Sequence, residues 1–379
     1  MDIYLDNSAT TRICPEAAEK MTYIINNVYG NPSSTHKIGD DAHREFELSR
    51  KIVADHLGVD KKELFFTSGG TEANNMAVFG AARARKRLGN RIVTTAAEHS
   101  SVFESCKELE NEGFEVVYLS PDQSGSVSEE QLRTAIDEKT VLVSMMAVNN
   151  ETGAFFPIDK VKSIITEKKS PALFHCDAVQ AFGKIPVKPG KIKCDLLSVS
   201  AHKIHGPKGS GALFVKNGVH IKPILYGGEQ QEKLRPGTEA LVLIGGFSAA
   251  AKALGNISSN YQSVRELHDH AVERLKGLDG VVLNSPENSL PYIINFSAVG
   301  IKSETMMNFL SGKGIYVSNG SACAKGKKSH VLSAMGLTDE RIDSAVRISF
   351  SKYSQKNEID ALADALQEGL STLARAKKR

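Results

Sequence analysis

Lys203 ends an apolar run, Ser198-Val-Ser-Ala-His-Lys203, that breaks into the glycine-rich stretch Gly206-Pro-Lys-Gly-Ser-Gly211. A desolvated lysine amine condenses with carbonyl compounds to a Schiff base, and small flanking residues let a flat cofactor come close. Taken alone, such a residue is a surface lysine in a turn. Its company says more. His175-Cys-Asp177-Ala-Val-Gln180 follows a second apolar run, Ala172-Leu-Phe174, and sets an acid at that strand's end. A buried carboxylate and a Schiff-base lysine on neighbouring strands are the pair that a pyridoxal phosphate site requires.

Other segments carry polar residues suited to the same chemistry. Thr67-Ser-Gly-Gly-Thr71-Glu72 follows a strand and opens a helix, so its backbone N–H groups and the helix dipole favour an anion; a capped glycine turn is the plain alternative. It lacks the Lys-Ser/Thr of a P-loop and a full dinucleotide fingerprint. Ser200 and His202 lie close enough to Lys203 to donate to the same phosphate. His99, in Ala97-Glu98-His99-Ser100, can stack on a planar ring and move protons, or be a satisfied loop histidine. Val148-Asn-Asn150-Glu151-Thr-Gly153 ends another strand with groups that can bond a ring substituent. Arg347 interrupts an apolar strand, where it pairs with a structural acid or grips a substrate carboxylate. Cys323, in Ser318-Asn-Gly-Ser-Ala-Cys323-Ala-Lys-Gly-Lys-Lys-Ser329, sits among small residues and lysines, a setting that exposes a thiol and favours thiolate. Cys14, Cys106, Cys176 and Cys194 sit where burial is expected.

These residues need a scaffold. From Glu63 to Val215 short apolar runs alternate with amphipathic stretches. Strands are predicted at 63–67, 91–95, 115–119, 141–146, 172–176, 195–199 and 211–215, with helices over 71–86, 102–111, 129–136 and 158–167. That alternation predicts an α/β fold with a mostly parallel central sheet flanked by helices, whose ligands bind beyond the carboxyl ends of the strands. After about Gly255 the texture changes to a smaller α+β unit. It has a helix over 261–277, strands near 280–283, 292–296, 315–317 and 345–350, a helix near 303–311 and a closing helix over 356–373. The expected domains are a large α/β unit over 13–255 and a small unit made of 1–12 with 256–379.

Composition excludes several classes. The 379 residues carry a net charge of only +3, which gives no electrostatic argument for nucleic-acid or membrane binding. No run approaches the ~18 to 20 apolar residues of a membrane span, and Met1-Asp-Ile-Tyr-Leu-Asp6 lacks the pattern of a secretory signal. Five scattered cysteines without a C-x-x-C argue against a disulfide framework and for a reducing compartment, with the cytoplasm as the expectation.

With these residues assembled, the chain resembles the NifS/IscS-type cysteine desulfurases, within the class-V aminotransferases of pyridoxal phosphate fold type I. The likeness runs along essentially the whole chain. It includes Tyr4-Leu-Asp-Asn-Ser-Ala-Thr-Thr11, Gly30-Asn-Pro-Ser-Ser34, Arg235-Pro-Gly-Thr-Glu239 and the segments quoted above. The resemblance implies that Lys203 holds the cofactor and Asp177 pairs with its ring nitrogen. It implies that Gln180 bonds the phenolate oxygen and that His99 stacks on the ring and helps move protons. Gly70, Thr71, Ser200 and His202 would bind the phosphate, with Thr238 added from the second subunit of a homodimer. Asn149, near the cofactor, and Arg347 would hold the amino acid's carboxylate.

The implied reaction takes sulfur from L-cysteine, leaving L-alanine and a persulfide on the nucleophile Cys323. The sulfur would pass to an acceptor or scaffold protein for iron–sulfur cluster assembly or tRNA thiolation. No resident metal is implied, though Cys323 could ligate an iron–sulfur species transiently. Selenocysteine lyase, aminotransferase and a non-catalytic cofactor-binding scaffold are the other readings. The segment from Cys323 to Ser329-His330-Val-Leu332 is shorter than in the longest-loop members, which bears on the choice of acceptor.

Overall fold

The computed structural model describes residues 2–320 and 328–374. A short strand, β1 (Ile3–Tyr4), is followed by two helices, α1 (Pro15–Asn27) and α2 (Lys37–Leu57). An alternating stretch comes next, opening with β2 (Leu64–Thr67), α3 (Gly70–Arg85), β3 (Arg91–Thr95), α4 (Ser100–Asn111) and β4 (Glu115–Leu119). It continues through α5 (Glu129–Ala135), β5 (Thr140–Met146), α6 (Ile158–Glu167), β6 (Leu173–Asp177), α7 (Pro189–Ile192), β7 (Leu196–Ser200) and β8 (Gly211–Val215).

The seven strands β2 to β8 form one sheet in the order β2-β8-β7-β6-β5-β3-β4. β8 runs antiparallel to both its neighbours, and every other pair is parallel. Every residue of β5, β6, β7 and β8 is buried, because helices cover both faces of the sheet and leave no solvent side for a polar alternation. α3 lies against β5, β7 and β8 through Ala73, Ala77 and Ala81, small enough to bring its axis close to the strands.

On the other side of the sheet α8 (Leu241–Lys252) packs against α1 and α2. A Cβ on Gly245 would stand 2.1 Å from Ile24 Cδ1, so this crossing tolerates no side chain there.

The chain then makes α9 (Ile257–Lys276), β9 (Val281–Leu283), β10 (Ile293–Ala298), α10 (Ser303–Gly312) and β11 (Ile315–Tyr316). α11 (His330–Ala334), α12 (Asp339–Asp343), β12 (Ala345–Ser349) and α13 (Lys356–Thr372) complete the described chain. β9, β10 and β12 form an antiparallel sheet in the order β12-β10-β9, and β1 pairs in parallel with β11. The N-terminal segment is stitched to this second sheet, since Ser349 N–H donates to Leu5 O at 2.7 Å. Among the described residues no single helix is long and apolar enough to cross a membrane.

Candidate active site

The parallel strands β3, β5, β6 and β7 all end on one edge of the large sheet, and their exits carry His99, Asn150, Asp177 and Lys203. These four line one cavity of about 740 Å³, together with Gly70, Thr71, Gln180, His202 and Arg347. Residues scattered over nearly 280 positions of sequence therefore converge on one volume.

Asp177 ends β6 and is only 6% exposed. One carboxylate oxygen accepts the Val179 N–H at 2.9 Å, and the other accepts Asn74 Nδ2 at 2.7 Å from α3. The same Asn74 amide donates to Ser101 Oγ at 2.8 Å, and Ser101 Oγ lies 2.8 Å from His99 Nδ1. Ser101's backbone N–H also donates to His99 Nδ1, at 3.1 Å. A backbone N–H can only donate, so Nδ1 is the acceptor and the ring proton belongs on Nε2. Burial lowers the imidazole's affinity for a second proton, against the pull of Asp177 and with the push of Lys203. His99 is thus held neutral in one tautomer.

Beneath it Glu98 is fully buried; its Oε1 accepts from Met146 N–H and Thr95 Oγ, and Oε2 has no partner among the described residues. Burial, reinforced by Asp177, pushes Glu98 up to about 8, so Glu98 is held as a neutral acid.

Lys203 follows β7 in a short 3-10 turn, Ala201–Lys203. Its Nζ donates to Ser8 O at 2.5 Å and Ala9 O at 2.7 Å, so the N-terminal segment closes one wall of the site. Gln180 Nε2 donates to the same Ser8 carbonyl at 2.9 Å.

Arg347, in β12, is 1% exposed. Its Nη2 pairs with Asp6 Oδ1 at 2.8 Å, and its Nη1 donates to Asn150 O and Gly320 O. Its Nε has no partner among the described residues. Of the two sequence readings, the structural acid is present as Asp6, and the arginine also lines the cavity.

The expectation for Asn149 needs correction. Its Oδ1 accepts from Glu151 N–H, Thr152 N–H and Thr152 Oγ, while its Nδ2 donates to Ala97 O at 3.0 Å. With every polar atom engaged in the turn after β5, Asn149 does not line the cavity. Asn150 does, and its Oδ1 is buried without a partner among the described residues.

The anion cradle lies where α3 begins. Gly69, Gly70, Thr71, His202 and Lys208 line a second cavity of about 390 Å³ that adjoins the first. A Cβ on Gly70 would meet Val179 Cγ2 at 2.8 Å, so glycine keeps this floor open. Ser200 Oγ and Ser8 Oγ are buried without partners among the described residues, which suits a bound group supplying acceptors. His202 is pushed down to about 3 by burial and then by Lys203, leaving it an uncharged ring. Glu72 accepts the Ser68 N–H at 2.7 Å and pairs with Arg235 at 2.7 Å, which brackets the cradle.

An aromatic phosphate with an aldehyde therefore fits the residues present: an amine, an acid for a ring nitrogen, an amide donor and an N–H-rich cradle. Thr238 is exposed and lines neither cavity. Cys323 lies outside the described residues. The other four cysteines are buried and free. Asp6, Ser8 and Glu151 fall within segments quoted from the sequence but have no role assigned there; Asn74 and Ser101 are not singled out, and of these two Asn74 carries a signal, since it lies one turn from Thr71 on the same helix.

Comparison with known proteins bears on this geometry along its whole length. The aminotransferase class-V family matches residues 3–362. The cysteine desulfurase IscS of Methanosarcina thermophila is 40% identical over 97% of this chain and 91% of its own. A solved NifS-like protein superposes with a TM-score of 0.93 at 39% identity, covering 98% of this chain and all of its own. A structure described as SspA in complex with cysteine superposes with a TM-score of 0.82 at 32% identity, over 93% of this chain and 100% of that one. The cavity, the strand ends that build it and the matched span together assign this chain to the class-V aminotransferase family.

Proposed function

We propose that this chain is a pyridoxal phosphate-dependent cysteine desulfurase, taking sulfur from L-cysteine and releasing L-alanine. The observation that carries this reading is the convergence of Lys203, Asp177, Gln180, His99 and Arg347 on one cavity. The name of the Methanosarcina relative and the cysteine bound in the SspA structure support the substrate.

Lys203 would hold the cofactor carbonyl and Asp177 its ring nitrogen. Gln180 would bond the oxygen beside the carbonyl, and Gly70, Thr71, Ser200 and His202 the phosphate. When bound, the cofactor supplies an electron sink for charge developing at the carbon next to the substrate's amine. The rest belongs to the protein. Asp177, fixed by Val179 N–H and Asn74, would present its carboxyl group to the ring nitrogen. His99 offers Nε2–H, and Lys203 an amine, for moving protons across that carbon. Arg347 offers its guanidinium to the carboxylate, and Asn150 takes the place expected of Asn149.

At the sulfur end, the Cys323 thiolate attacks the substrate's sulfur. The Cβ–S bond breaks, its electron pair ends in a C–H bond of alanine, and an S–S bond forms on Cys323. Of the two thiol protons, one ends on alanine and the other on the persulfide. The sulfur then goes to an acceptor protein for iron–sulfur cluster assembly or tRNA thiolation.

The large unit over 13–255, and the small unit of 1–12 with 256–379, is supported by the pairing of β1 with β11. A homodimer whose Thr238 serves the other subunit's phosphate is supported by that residue's exposure. The cytoplasm, as a reducing compartment, fits the four buried free thiols.

The test is mass spectrometry of the protein after L-cysteine. The expected result is one added sulfur on Cys323 with alanine formed, and loss of both sulfide and persulfide in Cys323→Ser. Turnover with Cys323 unmodified overturns the sulfur-transfer step.

A further inference from the structure

Lys184 is a buried amine that the reaction as written leaves without a role. It is 6% exposed, in the turn that follows β6, and makes no ion pair among the described residues. Its Nζ donates to Gln180 Oε1 at 2.9 Å and lies 5.7 Å from the centre of the Tyr292 ring. Burying an amine away from any carboxylate is costly, so its place calls for a compensating role. Burial, followed by the nearby Lys203 and Arg347, pushes its proton affinity down to about 7.

The hydrogen bonds around it fix which end of Gln180 meets which neighbour. A charged Lys184 can only present N–H hydrogens to Gln180. Gln180 Oε1 is therefore the acceptor, and the Gln180 NH2 is turned the other way, where it donates to Ser8 O at 2.9 Å. Lys203 Nζ donates to that same carbonyl at 2.5 Å. Two residues, Gln180 and Ser8, thus link the buried amine to the reactive one, with Gln180 and Lys203 both donating to the Ser8 carbonyl. Gln180 lines the large cavity, so one amide N–H serves Ser8 and the other is left for a ligand.

We propose that Lys184 is a positioning residue, which locks the Gln180 carboxamide so that its NH2 edge, and never its oxygen, meets the cofactor oxygen beside the Lys203-bound carbon. This rests on the cofactor reading above. Without Lys184 only the Ser8 carbonyl opposes turning the Gln180 amide over, because its two ends are nearly the same shape. The turned amide would set its oxygen against an anionic oxygen, which is repulsive. A donor at that oxygen favours the form in which the Lys203-linked nitrogen has lost its proton, because only then is the oxygen's negative charge unneutralised. Removing the lock must therefore raise the pH at which that nitrogen deprotonates.

The experiment titrates the visible absorbance of the cofactor-loaded protein with pH, in wild type, Lys184→Met and Lys184→Gln. Met removes the donor and keeps the shape of the stem; Gln removes the charge and keeps a donor. The expected result is a midpoint raised by about one pH unit in Lys184→Met and close to wild type in Lys184→Gln. An unshifted Lys184→Met midpoint overturns the positioning role, and so does an equal shift in both variants, which would point to charge alone. A wild-type protein without a lysine-linked absorbance band, checked against Lys203→Ala, overturns the cofactor reading itself and is recognisable before any variant is titrated.

Discussion

On the proposed function, Arg347 is the residue that grips the substrate's carboxylate. A guanidinium 1% exposed, with Asp6 as its counter-ion and two carbonyls on its other fork, is held in one orientation before any substrate arrives. Lysine at this position keeps the charge but cannot reach Asp6, Asn150 O and Gly320 O together. Losing one partner of a buried, hydrogen-bonded charge interaction costs about 2–5 kcal/mol. Arg347→Lys is therefore expected to raise KM for L-cysteine at least about tenfold while leaving the cofactor's absorbance in place. Steady-state alanine formation measures this, and an unchanged KM would remove Arg347 from the carboxylate's binding site. Sequence alone could bring this arginine only to a choice between structure and binding, because the partner, Asp6, lies at the far end of the chain. It could not separate Asn149 from Asn150 either. The two are neighbours of one type, and only the path of the turn after β5 decides which amide is consumed by the backbone and which faces the cavity.

Among the elements, β5, β6 and β7 must hold their exits in register for Asp177 and Lys203 to share one volume. His175 helps fix them. It is fully buried, with Nδ1 2.8 Å from Ser144 Oγ on β5 and Nε2 2.9 Å from Ser198 Oγ on β7. Burial pushes it down to about 3, against an ordinary value of 6.5. Between those values the unfolded chain binds a proton that the folded one refuses, so stability is whole above 6.5 and falls as pH drops towards 3. The slope is about 1 kcal/mol per pH unit for each such histidine. Urea midpoints at pH 7 and 5.5 are expected to fall in the wild type, and to fall less in His175→Gln, which bonds without titrating; equal drops would deny His175 the effect. Elements with one apolar stripe were legible, α6 to the residue at 158–167, because their periodicity survives half-burial. α8 was not. Leu241-Val-Leu-Ile-Gly-Gly-Phe247 is apolar all round, since it is packed between α1 and α2 rather than laid on a surface, and a helix buried on every side has no stripe to read. The antiparallel course of β8 was hidden for a related reason: a strand buried on both faces looks the same in either direction.

For the whole molecule, the cradle at the start of α3 is open on one side. Lys208 and Thr71 beside it are exposed, and Arg235 anchors the 230–239 segment to Glu72 nearby, while Thr238, three residues on, is exposed and lines neither cavity. On the proposed homodimer, the second subunit's Thr238 reaches that opening. A hydroxyl bonded to a charged phosphate is worth about 1.5–3 kcal/mol, so a Thr238→Ala homodimer is expected to bind the cofactor at least about tenfold more weakly. Mixed dimers decide whose site the residue serves. Pair a Lys203→Ala subunit that keeps Thr238 with a Thr238→Ala subunit that keeps Lys203. If Thr238 crosses over, the Lys203-bearing site receives an intact threonine from its partner. The mixed dimer then holds one cofactor with wild-type affinity and turns over at about half the wild-type rate. If Thr238 acts within its own subunit, the site that keeps Lys203 is the one that lacks the threonine, and its cofactor affinity stays as weak as in the Thr238→Ala homodimer.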